Sequence, residues 1–378
     1  MKKYFVIMLA LSLVLLCPFR ISAVEGSELI GEEEWAEFGS NLPQELKEEF
    51  FEDGGASVDE YADSVKQKSG AEYVFKKILE TLSLELGGVL KLFFSICALL
   101  VLSAVFSAAS SSFSNDSLGV AVRFCSAGAI FAVIIQTQYE HFERIEAFFD
   151  ALGALVRAMI SISESIWAMG GNVSTASTGG ASLFLMLNIC ESVLSNSVIP
   201  VCCVMSVLGL CDAMSDEMKT GRLLSAIKKI YSLFLCTVMT LLLSSLSAQT
   251  AIAASADTAA ARTAKLVSGN IIPVIGGSVG ETLRTVFGGV CFLKNIFGIG
   301  GIIMIFGLLL PVGTSVLMTR LVFLISSGLA ELLGCSNEAR LLGNLGEIYG
   351  SMLGVICGVS VMFVLALCVF MQTVVAVM

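Results

Sequence analysis

The chain has 378 residues, 56% of them hydrophobic and only 14% charged, with a net charge of −10. A soluble domain carries about 25% charged residues, and disorder needs low hydrophobicity, so both are excluded in favour of a multi-spanning membrane protein. Its apolar runs are continuous rather than alternating, which suits helices and not a β-barrel, and its acidic balance excludes nucleic acid, whose binding needs a basic footprint.

At the N-terminus Lys2 and Lys3 precede an apolar run from Phe5 to Cys17, and Ile21-Ser22-Ala23 offers a cleavage site. Residues 1–23 read as a signal peptide, with an uncleaved anchor as the alternative. Either way, residue 24 onward lies outside the cytoplasm. Residues 24–85 hold 17 Asp/Glu and 5 Lys, a net −12. Two capping boxes, Ser57…Glu60 and Ser69…Glu72, predict helix starts. Val74, Ile78, Leu82 and Leu86 then recur every four residues and predict an amphipathic helix that runs into the membrane. A shorter helix after Pro43 would carry Leu46 and Phe50. This acidic segment is either a docking module for a partner or a solvated spacer.

Residues 86–378 form the predicted membrane domain. Six stretches are long and apolar enough to span: 88–110, 118–137, 181–211, 229–251, 296–318 and 352–376. Three more, 147–169, 271–290 and 320–334, read equally as interfacial, re-entrant or spanning, so the crossings number between about six and nine. Asp150, Arg157 and Glu164 fall seven residues apart, on one face of 147–169. Lys219, Arg222, Lys228 and Lys229 are the densest basic cluster between spans and favour the cytoplasm. That orientation requires that 147–169 does not cross.

Within this body, Glu191 lies about ten residues inside a span, where a charge costs roughly 3 kcal/mol on insertion scales, and it reads as a structural pair or a conduit group. Pro200, Pro273 and Pro311 interrupt apolar runs. Each removes a backbone donor, and the freed carbonyls must be buried or face water, so these sites read as kinks or as parts of a polar conduit. Gly276 and Gly277, just after Pro273, weaken a helix further and predict a bend over 271–290. Gly346, Gly350, Gly354 and Gly358 recur every four residues and predict close helix packing, within the chain or in a homo-oligomer. Ser103, Ser107 and Ser111 make a similar stripe.

Signals for chemistry are weak. Gly276-Gly277-Ser278-Val279-Gly280 matches G-x-S-x-G, but that elbow needs a strand before it and a histidine partner, and His141 is the sole histidine. Neither a nucleotide-binding loop nor metal-ligand spacing is present, and the twelve cysteines lie mostly in apolar runs without a C-x-x-C. We therefore expect no enzyme, no cofactor and no metal.

The ordered run Asp257-x4-Arg262-x2-Lys265, then Asn270-Ile271-Ile272-Pro273-Val274-Ile275-Gly276-Gly277, Leu293-Lys294-Asn295, Gly298-x-Gly300-Gly301 and Pro311 resembles the stage III sporulation protein AE family of endospore-forming bacteria. The resemblance implies the large polytopic component of a multi-protein complex in the mother-cell-derived membrane around the forespore. That complex forms a channel or secretion-like conduit between the two cells and sustains forespore development. Its partners would be other subunits of the complex and membrane lipid. Asn270, Lys294 and Asn295 are family-motif positions without an assigned role. An autonomous small-solute permease is the alternative function, and an intramembrane hydrolase using Ser278 a distant third.

Overall fold

The computed structural model describes residues 30–51, 57–112, 116–169, 180–214, 220–269 and 276–373. The predicted signal peptide lies outside them. Among the described residues there are nine helices and no strand: α1 (Glu32–Asn41), α2 (Gln44–Phe50), α3 (Val58–Lys68), α4 (Ala71–Ser112), α5 (Asp116–Met169), α6 (Gly180–Met214), α7 (Thr220–Gly269), α8 (Gly276–Leu332) and α9 (Ser336–Thr373). The fold is all-α.

Local chemistry sets several helix ends. Ser57 opens α3 with a reciprocal capping box: the Glu60 amide donates to Ser57 Oγ at 3.4 Å and the Ser57 amide to Glu60 Oε2 at 3.0 Å. At Ser69 the hydroxyl donates back to the Lys66 carbonyl and closes α3. The turn between α8 and α9 is a Schellman motif, with the Cys335 amide on the Ala330 carbonyl and the Gly334 amide on Glu331. Gly334 has φ +77°, a conformation that costs glycine little and other residues more.

Among the described residues five helices are long and apolar enough to cross a membrane, and the chain is a multi-pass membrane protein. The apolar stretch of α8, Gly289–Leu332, has 44 residues. At 1.5 Å per residue it is about 66 Å long, roughly twice the hydrocarbon thickness of a bilayer. Protein covers what one bilayer would not: 89% of its most apolar window is buried, against 22% in α4 and 11% in α7. Exposed large apolar side chains follow the same division. They lie along α4 (Phe75 to Phe106), the first half of α5 (Phe124 to Tyr139), α6, α7 and the end of α8, with Leu365 on α9. Among the described side chains, none lies between Phe142 and Met169 or between Gly289 and Leu324. Apart from the first turns of α4, where Phe75 and Leu79 are exposed, the large apolar side chains on the surface belong mainly to one half of the bundle.

The acidic segment covers the buried half of α8. Phe38, Leu42, Leu46, Phe50, Tyr61 and Val65 are all buried. The helix after Pro43 therefore carries Leu46 and Phe50 inward. Trp35, Phe38, Phe51 and Tyr61 gather around Phe297 of α8 with ring centroids 5.3–6.3 Å apart. A Cβ on Gly300 would overlap the Tyr61 hydroxyl, so glycine there admits the ring. α1 is tied to the second half of α5 by Ser165 donating to Glu34 at 2.7 Å and Ser161 to Glu37 at 3.3 Å. Asp150 and Arg157 are exposed on the far side of α5 and Glu164 is half-buried. Burial and the nearby Glu37 raise the Glu164 carboxyl.

Glu49 joins α2 to α4. It accepts from Tyr73 Oη and from Lys77 Nζ at 3.0 Å, while its carbonyl accepts from Lys68 Nζ. Burial opposes its charge, but the Tyr73 and Lys77 contacts and the Lys68 charge outweigh it and hold the carboxyl below the usual range. α4 runs unbroken from the acidic segment into the apolar body. Along it Val74 faces the core, whereas Leu86 is 41% exposed.

Candidate functional site

A polar cleft of about 320 Å³ opens between α4, α5 and α8, where the apolar runs of α4 and α5 give way to charge. His141 stands at its floor. The spacing of Thr137, Glu140, His141 and Arg144 puts all four on one face of α5, because positions three, four and seven apart share a helix side. The His141 ring pairs with Thr319 Oγ1 through Nε2 at 3.0 Å and with Ser315 Oγ through Nδ1 at 3.3 Å. Thr319 and Ser315 are one turn apart on α8 and both are buried. The Tyr349 ring of α9 meets the imidazole edge-on, with centroids 5.4 Å apart. His141 lies beyond the predicted span 118–137, and burial, with the Arg144 charge beside it, lowers its pKa to about 4. The imidazole is thus neutral at physiological pH.

Arg144 binds Glu85 of α4 at 2.7 Å and donates to Ser315 at 3.1 Å, both through Nη1. The ion pair is partly exposed, so its direct contribution is small, up to about 1 kcal/mol. It also places three helices in one register. Chemically the cleft offers hydroxyls, a neutral imidazole and charges of both signs inside a largely apolar body. A serine beside a histidine does not make a nucleophile here: the second ring nitrogen meets a threonine hydroxyl, where a triad needs a carboxylate. Among the described residues no group of His, Cys, Asp and Glu could hold a metal ion.

A second polar cluster sits by the α8–α9 turn. Glu338, 2% exposed, accepts from Ser103 at 2.6 Å and from Ser126. Nearby, Asp212 accepts from the Gly221 amide at 2.7 Å and from Asn344, holding the α6–α7 end against α9. The ends of three helix hairpins therefore gather on this side of the bundle.

The residues singled out from sequence are scattered. Asn270 and Pro273 lie outside the described residues, as does the side chain of Glu191 on α6. Gly276 and Gly277 are the first two residues of α8. α6 continues through Pro200 and α8 through Pro311, and both prolines are exposed. Lys294 is 2% exposed, next to the half-buried Asn295. A Cβ on Gly346 would lie 3.4 Å from Leu324, one on Gly350 2.8 Å from the Arg320 guanidinium, and one on Gly358 3.4 Å from Met239 of α7. Gly354 is half-buried. Sequence reasoning missed the cleft. The polar turns of α5 after residue 136 were a usable signal, but nothing in the sequence joins Glu85, His141 and Ser315.

The sequence profile of the family described as stage III sporulation protein AE matches residues 56–374. The chain belongs to the stage III sporulation protein AE family. The match starts at the cap of α3 and runs through α9, so it includes Tyr61 and the whole cleft. The curated stage III sporulation protein AE of Bacillus subtilis (strain 168) is 28% identical over 239 residues, 63% of this chain and 58% of the relative. No solved structure matches the chain. In this member of the stage III sporulation protein AE family, the adjacent glycines of the Gly298-x-Gly300-Gly301 motif face different partners. Gly300 makes room for Tyr61, and a Cβ on Gly301 would lie 2.8 Å from Leu367 of α9.

Proposed function

We propose that this chain is the polytopic subunit of a multi-protein channel or export complex that connects mother cell and forespore and supports forespore development. It would lie in the mother-cell-derived membrane around the forespore, beside the other subunits of that complex. The observation that carries the sporulation role is the family match over 56–374. The conduit role is supported by the polar cleft in an otherwise apolar body, and Glu191, Pro200, Pro273, Gly276, Gly277 and Pro311 remain candidate conduit or bend positions. The chain works without catalysis in this reading.

The two halves of the bundle support one topology. The half covered by the acidic segment lies outside the cytoplasm, after the signal peptide 1–23. The apolar half crosses the membrane six times, and the hairpin ends near Glu338 and Asp212 face the cytoplasm. In this reading Arg222 and Lys228 lie inside, as positive charge favours. It leaves the second half of α5 and the first half of α8 outside, covered by protein instead of lipid.

An autonomous permease would use the same cleft, and purification separates the two readings. Tagged chain drawn from membranes of sporulating cells should bring co-encoded membrane proteins with it. Solute uptake by the purified chain alone in liposomes, with no companions recovered, would favour the permease.

A further inference from the structure

Four charged side chains line the cleft: Glu85, Lys91, Glu140 and Arg144. Glu85 and Arg144 answer each other. Arg144 reaches Glu85 and Ser315 through Nη1, which leaves the Nη2 and Nε edge without a partner among the described residues. Lys91 and Glu140 are exposed, and neither side chain has an ion-pair or hydrogen-bond partner among the described residues. The wall thus presents one unanswered cation and one unanswered anion. A ligand of a single sign leaves one of them unmatched, while a zwitterion matches both.

Depth narrows the ligand class. The cleft lies at the start of the apolar run of α4 and the end of that of α5, the level of lipid headgroups. On the same stretches Leu86, Leu90, Phe94 and Ile135 are exposed, a surface for acyl chains. We propose that the cleft binds the headgroup of a zwitterionic phospholipid with a primary ammonium, phosphatidylethanolamine. The phosphate meets Lys91 and the free edge of Arg144, since guanidinium and ammonium donors suit phosphate oxygens. The ammonium donates to Glu140. Phosphatidylcholine has no N–H to donate, and phosphatidylglycerol has no cation. The assignment stands apart from the complex reading, and either can fail without the other.

The test uses the full chain in phosphatidylcholine nanodiscs containing equal minor fractions of phosphatidylethanolamine and phosphatidylglycerol. Native mass spectrometry then counts the lipids retained after release. Phosphatidylethanolamine should be retained over both others by about tenfold. Lys91→Ala and Glu140→Gln should each reduce that retention by about tenfold. Neither change breaks a protein contact, and gel filtration checks that each variant is folded. Soluble phosphoethanolamine at the same concentration should not displace the lipid. Equal retention of phosphatidylglycerol, unchanged retention in both variants, or displacement by phosphoethanolamine would each overturn the assignment.

Discussion

The ring of Tyr61 lies over that of Phe297, with centroids 5.3 Å apart and planes 28° from parallel, in the space left open by Gly300. The contact joins the acidic segment to the membrane body. The acidic segment is built into the core because Phe38, Leu42, Leu46, Phe50, Tyr61 and Val65 are buried while most of the carboxylates on α1 to α3 stay at the surface.

Gly300→Val should expel the Tyr61 ring and destabilise the chain by about 1–3 kcal/mol, the usual range for overpacking. Tyr61→Ala should cost about 3–5 kcal/mol. Tyr61→Phe should cost nothing, because the buried hydroxyl has no hydrogen-bond partner. Thermal unfolding in detergent, with limited proteolysis of residues 57–70, measures all three. A large loss in Tyr61→Phe would show that the hydroxyl, and not ring packing, holds the segment.

Two glycines should respond oppositely. A Cβ at Gly350 would fall 2.8 Å from the Arg320 guanidinium, whereas nothing lies within 4 Å of one at Gly328. Gly350→Leu should lower stability by about 1–3 kcal/mol. Gly328→Ala, in the interior of α8, should raise it by up to about 1 kcal/mol through helix propensity. Paired melting curves decide it, and a neutral Gly350→Leu would mean that α8 and α9 part there without cost.

His141 gives a pH signature. Its folded pKa, about 4, lies below the ordinary 6.5, so the unfolded chain binds the extra proton first. The stability from the neutral imidazole is fully present above pH 6.5 and is lost as pH falls from 6.5 toward 4. The loss is on the order of 3 kcal/mol at the low end. His141→Gln should flatten that part of the profile, and an unchanged slope would show that the imidazole does not titrate in this window.

Glu338 should couple strongly to Ser103, since both are buried and 2.6 Å apart. A double-mutant cycle of Glu338→Gln and Ser103→Ala should return about 1–3 kcal/mol of interaction energy. A value near zero would mean that Ser126 alone satisfies the carboxylate.

The all-α membrane body and the capping box at Ser57 were legible because each is written in local pattern: continuous apolar runs and a three-residue spacing. The family was legible from an ordered motif around Pro273 and Gly300. Burial at α8 was not legible: the stretch 296–318 reads as a span, and sequence does not reveal that α1 to α3 and the second half of α5 cover much of it. The cleft was illegible for a related reason. Glu85, His141 and Ser315 stand on three helices, and the long-range packing that unites them leaves no periodic trace. Gly350 was visible as part of a stripe, but not its partner Arg320.

The central claim is that the polar half of the bundle, closed by the acidic segment, lies outside the cytoplasm and the hairpin ends lie inside. Asp150→Cys and Glu331→Cys place single exposed thiols in opposite halves. Each is made in a background without native cysteines, produced in growing cells so that the chain lies in the cell membrane, and treated in intact cells with a membrane-impermeant thiol reagent. The account predicts that Asp150→Cys labels at once and Glu331→Cys only after permeabilisation. Equal labelling of both, or the reverse order, would contradict it.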